Sequence, residues 1–383
     1  MAGTASAPGR HYLDHASTSP ARPEVIEAML AWLAGAGAAD PGRVHTEGRM
    51  ARAAVEQARE QVAALLGARP REVVFTSGAT EAINAATFGA ASAGAGTGPA
   101  RVVVPAVEHS AVLEAAGRGL PASVGVDGLG RVDPAEMLAA VDAAPTALVD
   151  IQWANHEVGT RQPVAAVVQG CRERGVLVHV DAAAGAGHDP FDFAALGADL
   201  ASVSAHKFGG PKGAGALLVR RGLRLAPLIV GGEQERARRG GLENVPAIVG
   251  FGTACEVAAA RLAQESERAR AQTRRLAAAA VAVAGVVTYG DPHDRLPHLV
   301  CVGVEGVEAE AVLLGLDQAG VAAHSGSACS SESLEPSPVL QAMGVEAERS
   351  LRLSVGWSTT EADVDAFARC FAGVVGRLRA LGS

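Results

Sequence analysis

The sequence predicts an α/β protein whose large lobe is a mainly parallel sheet covered by helices, followed by a smaller α+β lobe. Two observations carry the prediction. Short apolar runs bounded by glycine alternate with helix-like stretches over the first two thirds of the chain, the pattern of strands joined by crossover helices. After about Gly252 the alternation gives way to one long Ala/Arg/Glu-rich helix and a mixed set of elements. A length of 383 residues is ample for two lobes with their own cores.

Taken in order, REVVFTSG, RVVVPAVEH, TALVDIQWAN, GVLVHVDAAAG, LASVSAHKFGG and GALLVRRG each read as a strand ending in a polar turn. ATEAINAATFGAAS, SAVLEAAG and VAAVVQGCRERG between them read as helices. The long helix spans roughly Ala254 to Val283, and strand-like HLVCVGVEG, helix-like EAEAVLLGLDQAG, the loop HSGSACSSESLEPS, strand-like SLRLSVG and an amphipathic helix complete the chain. The expected division is a flexible tail over 1–10, a large domain over 11–254 and a small domain over 255–383, with the amino-terminal segment free to pack on the small domain. Parallel sheets of this kind bind ligands at the carboxyl ends of their strands. Those ends carry Thr76-Ser77-Gly78, Glu108-His109, Asn155-His156-Glu157, Asp181 and Ser204-Ala205-His206-Lys207.

Composition narrows the function classes. Hydrophobic residues make up 49% and charged residues 19%, which excludes a disordered or collagen-like chain despite 46 Gly and 19 Pro. A net charge of −8 disfavours direct nucleic-acid binding, and the most apolar run, Leu276 to Val287, is too short to span a bilayer. The expectation is a soluble, cytoplasmic protein. Cys171, Cys255, Cys301, Cys329 and Cys370 show neither CxxC nor Cys/His ligand spacing, so no disulfide framework and no metal site is expected. The first two and Cys370 sit in helix-like segments and Cys301 in a strand, where packing is the natural role. Cys329 alone lies in a Gly/Ser-rich loop.

Of 33 basic residues only two are lysines, Lys207 and Lys212, within one six-residue window. Arginine stays protonated, whereas a lysine amine can lose its proton and attack a carbonyl. SGATEAIN, with its glycine turn and helix start at Ala79 and Thr80, offers free backbone N–H groups to an anion, although an ordinary capped helix would look the same. Ser204 and His206 add donors beside Lys207. A phosphate near a reactive lysine points to pyridoxal phosphate, which needs a carboxylate at its pyridine nitrogen, supplied by Asp181, and a ring to stack on, supplied by His109.

SGATEAIN, VEHSAV, WANHEVGT, HVDAAAGAG, SAHKFGGPKG, ERARRGGLENVPAIVG, HSGSACSSESLEPS and LRLSVG, in this order, resemble the cysteine desulfurases, from about Tyr12 to the final helix. The resemblance implies a homodimeric fold-type I pyridoxal phosphate enzyme of the class V aminotransferase group that acts on L-cysteine. It implies that Lys207 bonds the cofactor and moves protons, that Asp181 pairs with the pyridine nitrogen, that His109 stacks and assists proton transfer, and that Ala79, Thr80, Ser204 and His206 hold the phosphate. Arg352 and Asn155 fall at substrate-binding positions, and Cys329 at that of the nucleophile which takes sulfur as a persulfide and passes it to an acceptor protein. The SGSAC form of the loop is the longer version.

Four positions depart from the family pattern. His156 stands where a second asparagine is usual, Ala184 for a glutamine, Leu242 for a threonine that reaches the partner subunit's phosphate, and Asp40 for an asparagine. A neutral histidine still donates one hydrogen bond, while Ala184 and Leu242 donate none. These changes keep two alternatives open: a related pyridoxal phosphate C–S or C–Se lyase, and a weakly catalytic sulfur-relay partner.

Overall fold

The structure is a computed structural model that describes residues 9–35, 39–93, 99–325 and 336–382. Its strands are β1 (His11–Tyr12), β2 (Val73–Thr76), β3 (Arg101–Pro105), β4 (Leu120–Val124), β5 (Leu148–Gln152), β6 (Leu177–Asp181), β7 (Leu200–Ser204), β8 (Gly215–Val219), β9 (Val286–Tyr289), β10 (Leu299–Val304), β11 (Val321–Ala322), β12 (His324–Ser325) and β13 (Ser350–Ser354). Among the described residues the large sheet has the order β2-β8-β7-β6-β5-β3-β4. Its pairs are parallel from β7 through β4, and β8 alone runs against its neighbours β7 and β2. Each apolar run expected as a strand forms one. The sequence reading passed over β4, an edge strand whose Leu120 and Pro121 are exposed and which therefore lacks a continuous apolar signal.

Alternation along the strands divides the two faces. Val103, Val149, Ile151, Val180 and Val203 pack with Val55, Val62, Met137, Val167 and Phe251 of one helical layer. Val102, Val104, Leu148 and Leu200 pack on the other side with Ile83, Ala86 and Ala90 of the helix Ala79–Ala93 and with Val112 of the helix Ser110–Gly117. Period two then sends Asp150 and Gln152, His179 and Asp181, and Ser202 and Ser204 to this second face. Polar residues thus collect under the helix Ala79–Ala93 at the strand ends.

The second sheet, β12-β13-β10-β9, is antiparallel. It is covered by the helices Ala309–Gln318 and Glu361–Gly382 and by the far half of Val245–Val281. That last helix has 37 residues, about 55 Å at 1.5 Å per residue, and contributes Phe251 to the core of the first lobe and Leu276 to that of the second. Asn244 caps its start by accepting from the Ala247 N–H at 3.3 Å.

The amino-terminal segment joins the lobes. β1 pairs in parallel with β11, Leu13 enters the second core, and Arg10 pairs with Asp317. The chain then crosses to the first lobe, where Ser19 N donates to His206 O at 2.9 Å and Arg22 N to Gly209 O at 2.9 Å.

Candidate active site

Ser77, Gly78, Thr80, His109, Gln152, Asp181, Ser204, His206 and Lys207 line one cavity of about 440 Å³, at the strand ends of the large sheet. Ala79, His156, Ala184, Thr18 and Lys212 complete much of its wall. Lys207 sits in a single turn, Ala205–Phe208, that follows β7. Gly209 ends that turn at φ +92°, and a Cβ there would lie 2.6 Å from Arg22 Cγ, so only glycine fits.

Lys207 Nζ donates to the carbonyls of Ala16 at 2.6 Å and Ser17 at 3.2 Å. The Lys207 carbonyl accepts from His188 Nε2 at 3.0 Å, and the His188 ring stacks on His298 with centroids 3.7 Å apart. Burial pushes His188 down to about 4 and His298 well below the usual imidazole range. The lysine turn therefore rests on neutral rings.

Asp181 closes β6 in register with Gln152 of β5. Its Oδ1 accepts from Ala183 N at 3.0 Å and Ser202 Oγ at 3.1 Å, so Oδ2 is the oxygen left for a donor inside the cavity. Glu108, wholly buried behind it, accepts from Gln152 N at 2.7 Å; burial, with the charges of Asp181 and Asp150 adding, raises its carboxyl well above the usual range. Burial thus disfavours a charge on Glu108, and Asp181 is the carboxylate that lines the cavity.

His109 caps the helix Ser110–Gly117 through Nδ1, which accepts from Ala111 N at 3.0 Å. The neutral ring then carries its proton on Nε2. Its role as a cap and its place in the cavity wall coincide. The His156 ring lies beside it, centroids 5.1 Å apart at 58°, and His156 Nε2 is 3.6 Å from Glu157 Oε1.

A Cβ on Gly78 would meet nothing nearer than Ser204 Oγ at 3.9 Å, so this glycine keeps the space before the helix Ala79–Ala93 clear. Burial first, then the Lys207 and Lys212 charges, push His206 down to about 4. His206 Nδ1 lies 3.1 Å from Thr18 Oγ1. Helix start, serine, neutral imidazole and a nearby ammonium suit an anion.

Arg352, in β13, is 1% exposed. Its Nη1 donates to His156 O at 3.1 Å, and its Nη2 to Asp14 Oδ1 at 3.1 Å and Ser17 Oγ at 2.7 Å. Asn155 is wholly buried and holds its own turn together: Nδ2 donates to Val107 O at 3.1 Å, and Oδ1 accepts from Glu157 N and Val158 N, both at 2.8 Å. It does not line the cavity. Leu242 is 63% exposed, and Asp40 Oδ1 accepts from Gly42 N while Oδ2 pairs with Arg43. Cys329 lies outside the described residues; β12, which precedes it, pairs His324 with Arg352. Cys171, Cys255 and Cys301 are buried and Cys370 half-buried, as packing residues are.

Sequence reasoning missed Asp14, Ser17, Thr18 and Gln152. Gln152 had a usable signal, since it ends a strand as Asp181 does. The other three stand in a short polar segment hundreds of residues from the side chains they meet.

The model of the class-V aminotransferase family matches residues 11–367. The chain is 40% identical to cysteine desulfurase IscS 1 of Archaeoglobus fulgidus, over 97% of this chain and 98% of that one. Among solved structures, a NifS-like protein superposes with a TM-score of 0.89 at 32% identity, covering 96% of this chain and 100% of the other. SspA in complex with cysteine superposes with a TM-score of 0.79 at 31% identity over 90% of this chain and 98% of the other. With its cavity at the ends of a mainly parallel sheet and this similarity along nearly its whole length, the chain belongs to the class-V aminotransferase family and, within it, to the cysteine desulfurases.

Proposed function

We propose that the protein converts L-cysteine to L-alanine with pyridoxal phosphate and passes the sulfur on as a Cys329 persulfide. The observation that carries the reading is the convergence of Lys207, Asp181 and His109 with a helix start and Ser204 on one cavity. The residues fit the cofactor: Asp181 Oδ2 is left for a pyridinium N–H, the cleared space at Gly78 suits a phosphate, and Lys207 lines the same cavity. When bound, the cofactor supplies an electron sink that weakens bonds to the substrate's α and β carbons.

The chain's own residues do the rest. Lys207 would bond the cofactor, and carbonyls of residues 16 and 17 hold its amine in place beforehand. His109 carries a proton at Nε2 and, with its ring fixed by the cap at Nδ1, would stack on the cofactor and transfer protons. Arg352 would grip the substrate carboxylate. In the sulfur step the Cys329 thiolate attacks the substrate sulfur, an S–S bond forms as the C–S bond breaks, and the carbon skeleton takes up a proton and leaves as alanine. Cysteine plus one thiol thus gives alanine plus one persulfide, with no outside oxidant. The thiol's ordinary pKa of about 8.5 requires a local base or cation to make it nucleophilic at neutral pH.

Three readings stand beside this. Asn155 would meet the substrate only through its second Nδ2 proton, since the first and Oδ1 are bonded within the protein. His156, in the cavity wall, replaces the usual asparagine as a donor to the cofactor's ring. A homodimer is supported by the exposed Val230 and Leu242 flanking the loop expected to meet a partner subunit.

Product analysis tests the reading. L-cysteine should yield alanine, with a persulfide on Cys329 detected by mass spectrometry, and Cys329→Ala should stop sulfur release while the cofactor spectrum persists. Pyruvate and ammonia as products would instead establish an elimination.

A further inference from the structure

We infer that Asp14 is a resident competitor for the substrate carboxylate at Arg352 and so sets how tightly the enzyme holds amino-acid ligands. The inference rests on the reading that Arg352 grips that carboxylate. Arg352 is 1% exposed, and a guanidinium so deeply placed needs an anion beside it. Asp14, with its side chain 15% exposed, is the carboxylate that meets it, at 3.1 Å.

The hydrogen-bond pattern shows what an incoming carboxylate faces. A guanidinium grips a carboxylate with two parallel bonds through one of two donor pairs, Nε with Nη2 or Nη1 with Nη2, and both pairs use Nη2. The two Nη2 protons go to Asp14 Oδ1 and Ser17 Oγ. Ser17 Oγ in turn donates to Asp14 Oδ1 at 2.8 Å, which closes a triangle. The Nε–H is buried and has no hydrogen-bond partner among the described residues. One prong of the Nε/Nη2 pair is therefore ready, and the second is taken. A two-bond grip requires the substrate to displace Asp14 or Ser17 from Nη2.

The same short stretch supplies the Ala16 and Ser17 carbonyls that hold Lys207 Nζ. One segment thus occupies the donors that would meet both the carboxylate and the cofactor. A ligand with a carboxylate must win its place against a fixed anion, whereas an amine without one has nothing to displace.

Equilibrium binding to the holoenzyme separates the cases, with L-alanine and ethylamine as probes and the change in the visible absorbance band as the readout. Asp14→Asn is expected to bind L-alanine about tenfold more tightly, the worth of one charge-assisted contact, and ethylamine unchanged. For L-cysteine the KM should fall while kcat does not rise. Ser17→Ala, which frees one Nη2 proton but keeps the anion, should tighten L-alanine about twofold, and it carries the test if Asp14→Asn fails to fold. Unchanged or weaker L-alanine binding in the variants, or weaker binding of both probes, would overturn the inference. Arg352→Lys should weaken L-alanine alone; if it does not, the carboxylate reading of Arg352 itself fails, whatever Asp14→Asn does.

Discussion

Lys207 and Lys212 both border the cavity, yet they differ in setting. Lys207 is half-buried and its amine is held by two backbone carbonyls of a segment nearly 200 residues away, whereas Lys212 is exposed at the rim. An amine that forms a covalent bond gains from a fixed position, because orientation removes entropy from the reaction step. Borohydride reduction followed by digestion and mass spectrometry is expected to find the reduced cofactor on Lys207 and to find none in Lys207→Ala. A label on Lys212 in the wild-type protein would sink the assignment. His206 is tuned by the same neighbours: with its proton affinity lowered to about 4, it meets an anion as a neutral donor and leaves the positive charge to the lysines.

Among the elements, the segment 233–244 shows how one buried ion pair holds a strained turn. Glu235, Arg236 and Ala237 have φ values of +49°, +60° and +61°, a conformation that costs a side-chain-bearing residue about 1–2 kcal/mol. Glu235 is anchored by a two-pronged pair with Arg59, at 2.7 and 2.8 Å, and accepts from Phe75 N at 2.9 Å. Arg59 also lies over the Phe75 ring, 4.8 Å from its centroid. The anchor fixes Glu235 at the start of the segment that carries Leu242. Ala237→Gly relieves the strain while loosening the unfolded chain, a net gain of about 0.5 kcal/mol. The thermal midpoint should rise by about 1 °C. A lower midpoint would mean that the left-handed turn is not held in solution.

Across the whole molecule, four histidines are kept neutral by burial where the amino-terminal segment, the lysine turn and β10 meet. His15 is pushed down to about 3 and His188 and His206 to about 4, with His298 well below its usual range. In the unfolded chain each regains a pKa near 6.5, so below that pH the unfolded state binds more protons than the folded one. Their contribution to stability is complete above about pH 6.5 and is lost as the pH falls toward 4 and then 3. At pH 5 a fully buried histidine such as His15 or His188 costs about 2 kcal/mol. Melting curves are expected to be flat from pH 8 to 7 and to fall steeply from pH 6 to 5. A midpoint unchanged between pH 7 and 5 would show that these rings already accept protons in the folded protein.

Local pattern in the chain was enough to give the sheet and much of the cavity wall. Apolar runs of about five residues that end in polar turns are strands buried on both faces, and their ends are where such sheets bind ligands, so Asp181, His109, Ser204 and Lys207 were legible from local pattern alone. The scarcity of lysine singled out Lys207 in the same way. What those residues rest on follows from contacts between distant parts of the chain. Asp14 and Arg352 are 338 residues apart, and no periodicity or turn signal links them. Asn155 reads as a ligand group from its place after a strand, and only the tertiary contacts reveal that it also braces its own turn through Val107, Glu157 and Val158. Periodicity reports which face of an element is covered; it carries no information about which distant loop covers it, and it is that loop, residues 13–19, that holds the lysine and the arginine of the site.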